Sequence, residues 1–404
     1  MTKTSFPLPM QYLGSKQRIA SWVVDEIAKA FPGTENMVDL MSGSGAIAHE
    51  ASMRGWNIHA NDIQPYSHQV LRSAFETPRE ELQEIVEWLE EGALDGMILC
   101  GDRSRAEAAL LEEDQFTANA YEGTFDWRDY SQFCERFSGR YSGATGNYDL
   151  FLAYYPNTYF GVRQCLEIDA IREKAAQSSL DNATHLIAAL ISGLTFVAST
   201  TTHLAQFLKP TSHSTALNLI KRRSQSVQGH VLECLKNLIN YPMPDITSTS
   251  NAPFQAVLAE RIFDPTKTVV YADPPYFKEH YSRYYHVLDT LALYDYPDLT
   301  FNNRLGSVTV GRYRSDRIVS DFGLRSKVAD TFQQMFCLAW KNDLQMALSY
   351  ASTSLLSADR IIDLAESAGY ETELRQIELR HSGQGQVRTK SDVTEYLFLL
   401  RHAH

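Results

Sequence analysis

No two cysteines in this 404-residue chain are spaced as C-x-x-C. The five present (Cys100, Cys134, Cys165, Cys234 and Cys337) are scattered and odd in number. That excludes a disulfide framework and a thiolate zinc site, and it suits a reducing cytoplasm. The histidines lack metal-ligand spacing too. The N-terminus MTKTSFPLPMQYLGSK has no apolar segment of the kind a signal peptide needs. The most apolar stretch, His185 to Leu208, is broken by Ser192, Ser199, Thr200, Thr201, Thr202 and His203. A buried helix pair is expected there rather than a membrane span, and no membrane partner is expected. Internal repeats and low-complexity tracts are missing. Positive charge is short as well, with a formal net charge of −12. A polyanion can therefore be met only by a local basic face. Lys209 to Gln228 supplies one candidate, with Lys209, Lys221, Arg222 and Arg223 and no acid. Arg312, Arg314 and Arg317, around Asp316, supply another.

What is present reads as alternating strands and helices. Ile19, Trp22, Val23, Ile27 and Ala30 fall at helical spacing, and Phe31-Pro32-Gly33 ends that helix. Met37 to Met41 is an apolar run fit for a buried strand, and it enters Ser42-Gly43-Ser44-Gly45 directly. A helix is expected after the glycines, and a second strand over Asn57 to Asp62. This unit implies a parallel sheet. Residues 78–114 read as acidic and helical, 121–160 as loops and short strands, and 161–240 as helical. YPMPDITSTSNAP, residues 241–253, reads as a linker. Strand-like sequence resumes at Ala256 to Ala259 and Thr268 to Ala272. The expected architecture is an α/β catalytic domain of residues 1–66 and 255–404, interrupted by a largely helical insertion of residues 67–254.

Two motifs carry chemistry. Gly43 and Gly45 allow a sharp turn and a close ligand approach between strand and helix. The helix N-terminus behind them favours negative charge. Asp62 closes the next strand at close to the roughly 20-residue spacing of an acid that holds a ribose. The missing third glycine points to a single nucleoside rather than a pyrophosphate. The second motif is Asp273-Pro274-Pro275-Tyr276, directly after a strand. Two prolines stop the strand and fix two φ angles. A carboxylate, a rigid carbonyl and an aromatic face then stand in the crevice where open sheets bind ligands. The trio suits an exocyclic amine of adenine or cytosine. Asp273 and the Pro274 carbonyl would accept its two N–H bonds, and Tyr276 would stack on the base, a contact worth about 1–3 kcal/mol. Catalysis by such a trio is positioning and electrostatics.

With these motifs in place, the chain resembles the Dam-type (alpha-group) N6-adenine DNA methyltransferases. Gln11-Tyr12-Leu13-Gly14-Ser15-Lys16, Asp39 to Gly45, and Asp273 to Tyr276 carry the resemblance in the family's order. Leu258-Ala259-Glu260 and the stretches His381 to Gly383 and Glu395 to Leu397 are weaker matches. The resemblance implies a Rossmann-like, class I S-adenosylmethionine-dependent methyltransferase fold, with double-stranded DNA as partner. Tyr12 and Lys16 would contact S-adenosylmethionine, Lys16 through its carboxylate. Asp39 and the loop to Gly45 would line its methionine part, Asp62 would hold the ribose, and Glu260 would face the adenine. Asp273, also beside the cofactor, would hold the target base with Pro274 and Tyr276. Met41 stands where the family usually has phenylalanine, and methionine can fill that volume. The base must leave the duplex to reach such a pocket. Lys209, Lys221, Arg222 and Arg223 are the candidate phosphate contacts, and Tyr281, Arg283, Tyr284 and Tyr285 are candidates to support the flipped base. A restriction or related defence partner is implied. The competing readings are cytosine N4, RNA or a protein amide as acceptor, or a non-catalytic, regulatory DNA-binding protein on the same scaffold.

Overall fold

The computed structural model describes residues 5–12, 14–138, 146–200, 204–242, 247–260, 264–275, 281–304, 306–379 and 393–402. They fall into two compact units. One comprises Met1–Leu13, Arg72–Pro242 and Arg283–Arg317, and the other Gly14–Leu71, Met243–Ser282 and Ile318–His404. The first is mainly helical and the second carries the main sheet. The segment 283–317 thus groups with the helices, although its sequence follows the Asp273 motif.

Seven strands form the main sheet. They are β1 (Asn36–Asp39), β2 (Asn57–Asn61), β3 (Thr247–Ser250), β4 (Thr268–Ala272), β7 (Gln345–Ala351), β8 (Tyr370–Leu379) and β9 (Val393–His402). Two short strands, β5 (Phe301–Asn302) and β6 (Ser307–Val308), form a separate antiparallel ribbon in the helical unit. The sheet order is β3-β2-β1-β4-β7-β9-β8. The first five strands are mutually parallel, and β9 runs antiparallel to both of its neighbours. The mostly parallel α/β sheet is as expected. Val38, Leu40, Val270, Met346 and Leu348 pack with Phe332, Phe336, Ile361 and Leu364 from helices Val328–Lys341 and Ala358–Ala368. The alternate strand residues Met37, Val269, Tyr271 and Ala347 are buried too, so both faces of the sheet are covered. Each fully buried Val, Leu, Ile, Phe or Met side chain among them contributes about 1.5–3 kcal/mol over exposure.

Several local expectations are corrected. Residues 256–259 belong to a helix, Phe254–Ala259, not a strand. Phe254, Val257 and Leu258 recur at i, i+3 and i+4, and a run this short satisfies either period. The linker contains strand β3, whose polar Thr247–Ser250 sequence gave no apolar signal. His59 holds it, its Nδ1 2.8 Å from Ser248 Oγ and its Nε2 2.9 Å from Ser250 Oγ. Residues 121–160 contain helices Trp127–Phe137 and Leu150–Tyr154 instead of short strands. The expected helix pair over 185–208 is one helix, Leu180–Val197, that ends at Ala198. Among the described residues it alone has the length and apolarity to cross a membrane, and 72% of it is buried inside the protein.

Candidate active site

The strand order reverses between β1 and β4, because the chain proceeds to β2 on one side and to β7 on the other. Ligands bind at the carboxyl ends of strands at such a point. Asp39 ends β1 there, and Asp273 follows β4 directly. The two strands are in register, Asp39 opposite Tyr271.

The glycine turn is tightly tied. Ser42 donates its N–H to the Asn61 carbonyl (2.9 Å), and Gly45 donates to the Ser42 carbonyl (2.8 Å). Gly45, at φ 74°, starts helix Ala46–Ser52 from the left-handed region that glycine tolerates best. Asp62 is buried and already bonded. One oxygen accepts the Gly43 N–H and the other the Gln64 N–H, each at 2.8 Å. Burial raises its pKa, opposed by these two N–H bonds and by the Ser67 hydroxyl. Asp62 therefore sets the loop's shape, whatever else it binds. Ser67 also donates to the Gly43 carbonyl (2.6 Å).

The N-terminal motif joins this loop through Ser15 and Ser44, whose hydroxyls lie 3.2 Å apart. Gly14, at φ 79°, lies where an added Cβ would meet the Tyr281 hydroxyl at 2.9 Å, so glycine suits both the turn and the space. The turn delivers Lys16 inward. Its ammonium lies 3.1 Å from Asp273 Oδ1 and 3.0 Å from Glu395 Oε1. Lys16 and Glu395 are buried, while 18% of the Asp273 side chain is exposed. Desolvation opposes the charge on Lys16, but the two carboxylates outweigh it and its pKa is raised. The motif implies a cofactor carboxylate as the partner of Lys16, and Glu395 stands in the sequence only as part of a weak family match, with no chemical role. On the alternating strand β9, Glu395 looks like any polar residue, and only the fold brings it to Lys16.

Asp39 is the unusual member. Its side chain is buried, and neither oxygen makes a hydrogen bond of good geometry. Burial raises its pKa to about 8, opposed by the nearby Ser42 hydroxyl and Met41 N–H and reinforced by Asp273 and Asp62. A carboxyl this buried is costly to ionise unless a cation or a better-placed donor meets it. Met41 is half-buried and packs against the hydrophobic core. Pro274 is buried behind Asp273. Glu260 is exposed, just beyond helix Phe254–Ala259. Tyr276 and His381 to Gly383 lie outside the described residues.

The remaining candidates fall in the helical unit. Tyr12 stacks on Tyr285, with ring centroids 5.0 Å apart and planes within 8°. Lys209 and Lys221 are exposed. Arg222 turns back to the carbonyls of Ala198 (3.0 Å) and Thr200 (2.6 Å). Arg223 corrects the sequence reading outright. It is 3% exposed, and its guanidinium donates to Ser199 Oγ, Tyr130 Oη, Asn157 Oδ1 and the Thr158 carbonyl. It knits the helical unit and cannot reach a phosphate. An apolar helix face had to close over the end of helix His213–Arg223, which a charge count along the sequence does not reveal. The second basic cluster is also largely spent. Arg314 is paired with Asp295 (2.7 and 2.8 Å) and Asp316, and Arg312 donates to Ser138 Oγ and the Tyr154 carbonyl.

Comparison with known proteins agrees with this geometry. Residues 12–95, which hold the N-terminal motif, the glycine turn and Asp62, match the family described as D12 class N6 adenine-specific DNA methyltransferase. The chain is similar to the Type II methyltransferase M.NlaIII of Neisseria lactamica, 25% identical over 96% of this chain and 94% of that protein. It is similar to the Type II methyltransferase M.CviAII of Paramecium bursaria Chlorella virus 1, 23% identical over 96% and 97%. It is also 22% identical to the Type II methyltransferase M.FokI of Planomicrobium okeanokoites, over 97% of this chain and 52% of that protein. The N-terminal part of the chain thus matches the D12 class of N6 adenine-specific DNA methyltransferases, and these full-length relatives are Type II methyltransferases.

Proposed function

We propose that this enzyme transfers a methyl group from S-adenosylmethionine to the N6 amine of an adenine flipped out of duplex DNA, as the modification half of a cytoplasmic restriction–modification system. The observation that carries the assignment is the placement of Asp273 beside Lys16 at the end of β4, next to the glycine turn after β1. The cofactor fits the acids present. Asp39, Asp62, Asp273 and Glu395 outnumber Lys16, and Asp39 has two buried oxygens without hydrogen bonds. A ligand bearing a sulfonium and an ammonium meets that demand. Asp39 and the backbone from Ser42 to Gly45 would hold its amino-acid part, Asp62 its ribose and Glu260 its adenine. The role of Tyr12 rests on its motif, and a cofactor titration of Tyr12→Ala tests it.

When bound, the cofactor supplies an electrophilic methyl group. The protein's task is to make a poor nucleophile attack it. Asp273 accepts one N–H of the adenine amine and the Pro274 carbonyl accepts the other, so the nitrogen is drawn toward tetrahedral geometry and its lone pair is withdrawn from conjugation with the ring. As the N–C bond forms and the methyl group parts from the cofactor's sulfur, which would leave as a neutral thioether, the nitrogen becomes cationic. The Asp273 carboxylate stabilises that charge and is placed to take the surplus proton. Lys16 fixes the orientation of the carboxylate, and Glu395 shares Lys16, so that one ammonium does not neutralise Asp273 completely. Catalysis is thus preorganised electrostatics. Tyr276 completes the clamp by stacking.

The regions are proposed to divide as 1–66 plus 255–404 for catalysis and 67–254 for DNA recognition, with segment 283–317 reassigned to the recognition side. Lys209 and Lys221 remain candidate phosphate contacts. Sequencing of modified bases after expression in a methylation-free host tests the assignment. N6-methyladenine at a fixed sequence supports it, and modified cytosine or no modification overturns it.

A further inference from the structure

The ribbon formed by β5 and β6 leaves apolar side chains in water with no core to explain them. Phe301 is 56% exposed, Val308 41% and Val310 58%. Phe301 stands directly opposite Val308, so the two make one apolar patch. The base of the ribbon, by contrast, is firmly held. Thr300 donates its N–H to the Tyr313 carbonyl (2.7 Å), Thr309 donates to the Thr300 carbonyl (2.9 Å), and Ser315 donates to the Asp298 carbonyl (2.8 Å). Arg314 clamps the same base through Asp295 and Asp316. At the turn, the Asn302 side chain accepts the Arg304 N–H (3.0 Å), and Gly306 sits at φ 62°. Asn303 and Arg304 are exposed there. From Leu299 to Ser315 the sequence contains no acid, in a chain of net charge −12. Carboxylates stand only at the base of the ribbon, Asp295 and Asp316 paired with Arg314 and Asp298 beside them, so its tip presents Arg304 without an acid next to it.

We propose that this ribbon is a DNA-reading element that enters the major groove of the duplex. It rests on the DNA methyltransferase reading above. A two-stranded ribbon fits the width of that groove, and asparagine and arginine are the residue types that bond adenine and guanine edges in pairs. Phe301 and Val308 present the apolar surface that meets thymine methyl groups. Part of the sequence specificity therefore lies after the catalytic motif, outside residues 67–254.

The test maps the methylated sequence of the wild type, then compares Phe301→Ala, Asn303→Ala and Arg304→Ala on two duplexes, one with the mapped site and one without it. Arg304→Ala and Asn303→Ala are expected to weaken cognate binding about 10-fold, to narrow the ratio of cognate to non-cognate affinity, and to relax the sequence of methylated sites. Cofactor affinity, measured by calorimetry, stays at the wild-type value. Unchanged cognate preference in all three variants overturns the proposal. So does a Phe301→Ala variant that changes only the oligomeric state in light scattering, which makes the patch a protein interface. If the wild type methylates no DNA, the function assignment fails. The ribbon is then judged on duplex affinity alone, where equal binding by wild type and all three variants overturns it.

Discussion

Both units bury charged side chains, and most are satisfied, but Asp39 of the sheet unit stands apart. In the helical unit, Asp169 accepts the Phe151 and Leu152 N–H groups, each at 2.9 Å, and the Tyr294 hydroxyl at 2.6 Å. Glu113 accepts the Val162 and Arg163 N–H groups, each at 2.8 Å. Arg223 spends its donors on five groups, the fifth being Cys134 Sγ. In the sheet unit, Asp39 is just as buried and makes no hydrogen bond of good geometry among the described residues. Burial raises both acids, Asp169 to about 7 and Asp39 to about 8. A satisfied buried charge holds a fold together, whereas a poorly satisfied one marks a candidate binding site.

Substitutions that separate fold from chemistry sharpen this contrast. Asp273→Ala should lower the transfer rate by about 1,000-fold or more while cofactor affinity changes little, as single-turnover kinetics and calorimetry will read. Arg223→Ala should do the reverse. It leaves several buried acceptors unpaired and should cost about 3–5 kcal/mol of stability, read from urea denaturation. Loss of DNA binding without loss of stability would return Arg223 to the surface role first expected of it. Glu395→Gln should reduce kcat about 10-fold with the cofactor KM and the denaturation midpoint near wild type. An equal loss in stability would make Glu395 structural.

Asp39 supplies a pH test. Its folded pKa is raised above the unfolded value, so its contribution to stability is full below pH 4 and is lost as pH rises towards 8. Asp39→Asn should remove that decline. A cationic ligand needs the ionised form, so wild-type cofactor affinity should rise with pH up to about 8, by up to about tenfold per unit. Asp39→Asn should bind weakly with a flat profile, and a flat profile in the wild type would break the argument. The smallest effect is expected from Lys209→Ala with Lys221→Ala. This pair should weaken all duplexes a few-fold and flatten the salt dependence.

Much of the sheet unit was legible because its signals are local. Apolar runs mark β1 and β4, glycines mark the turn, and Asp273 follows its strand in the sequence itself. Strand β3 was not legible, since its Thr and Ser side chains answer to His59 through hydrogen bonds rather than to a core. The chemical role of Glu395 was hidden for a related reason, because its partner Lys16 is remote in sequence and the weak match over Glu395 to Leu397 names no partner. Arg223 misled because charge density along a chain says nothing about which way a helix faces. The exposed ribbon was missed because Phe301 and Val308 look like core residues until their burial is known.

The central claim is tested most directly by nucleoside mass spectrometry on unmodified duplex DNA incubated with S-adenosylmethionine and either the wild-type enzyme or Asp273→Ala. N6-methyladenine from the wild type and almost none from the variant, at equal cofactor occupancy, is the expected result. N4-methylcytosine from the wild type, or full N6-methyladenine from the variant, would contradict it.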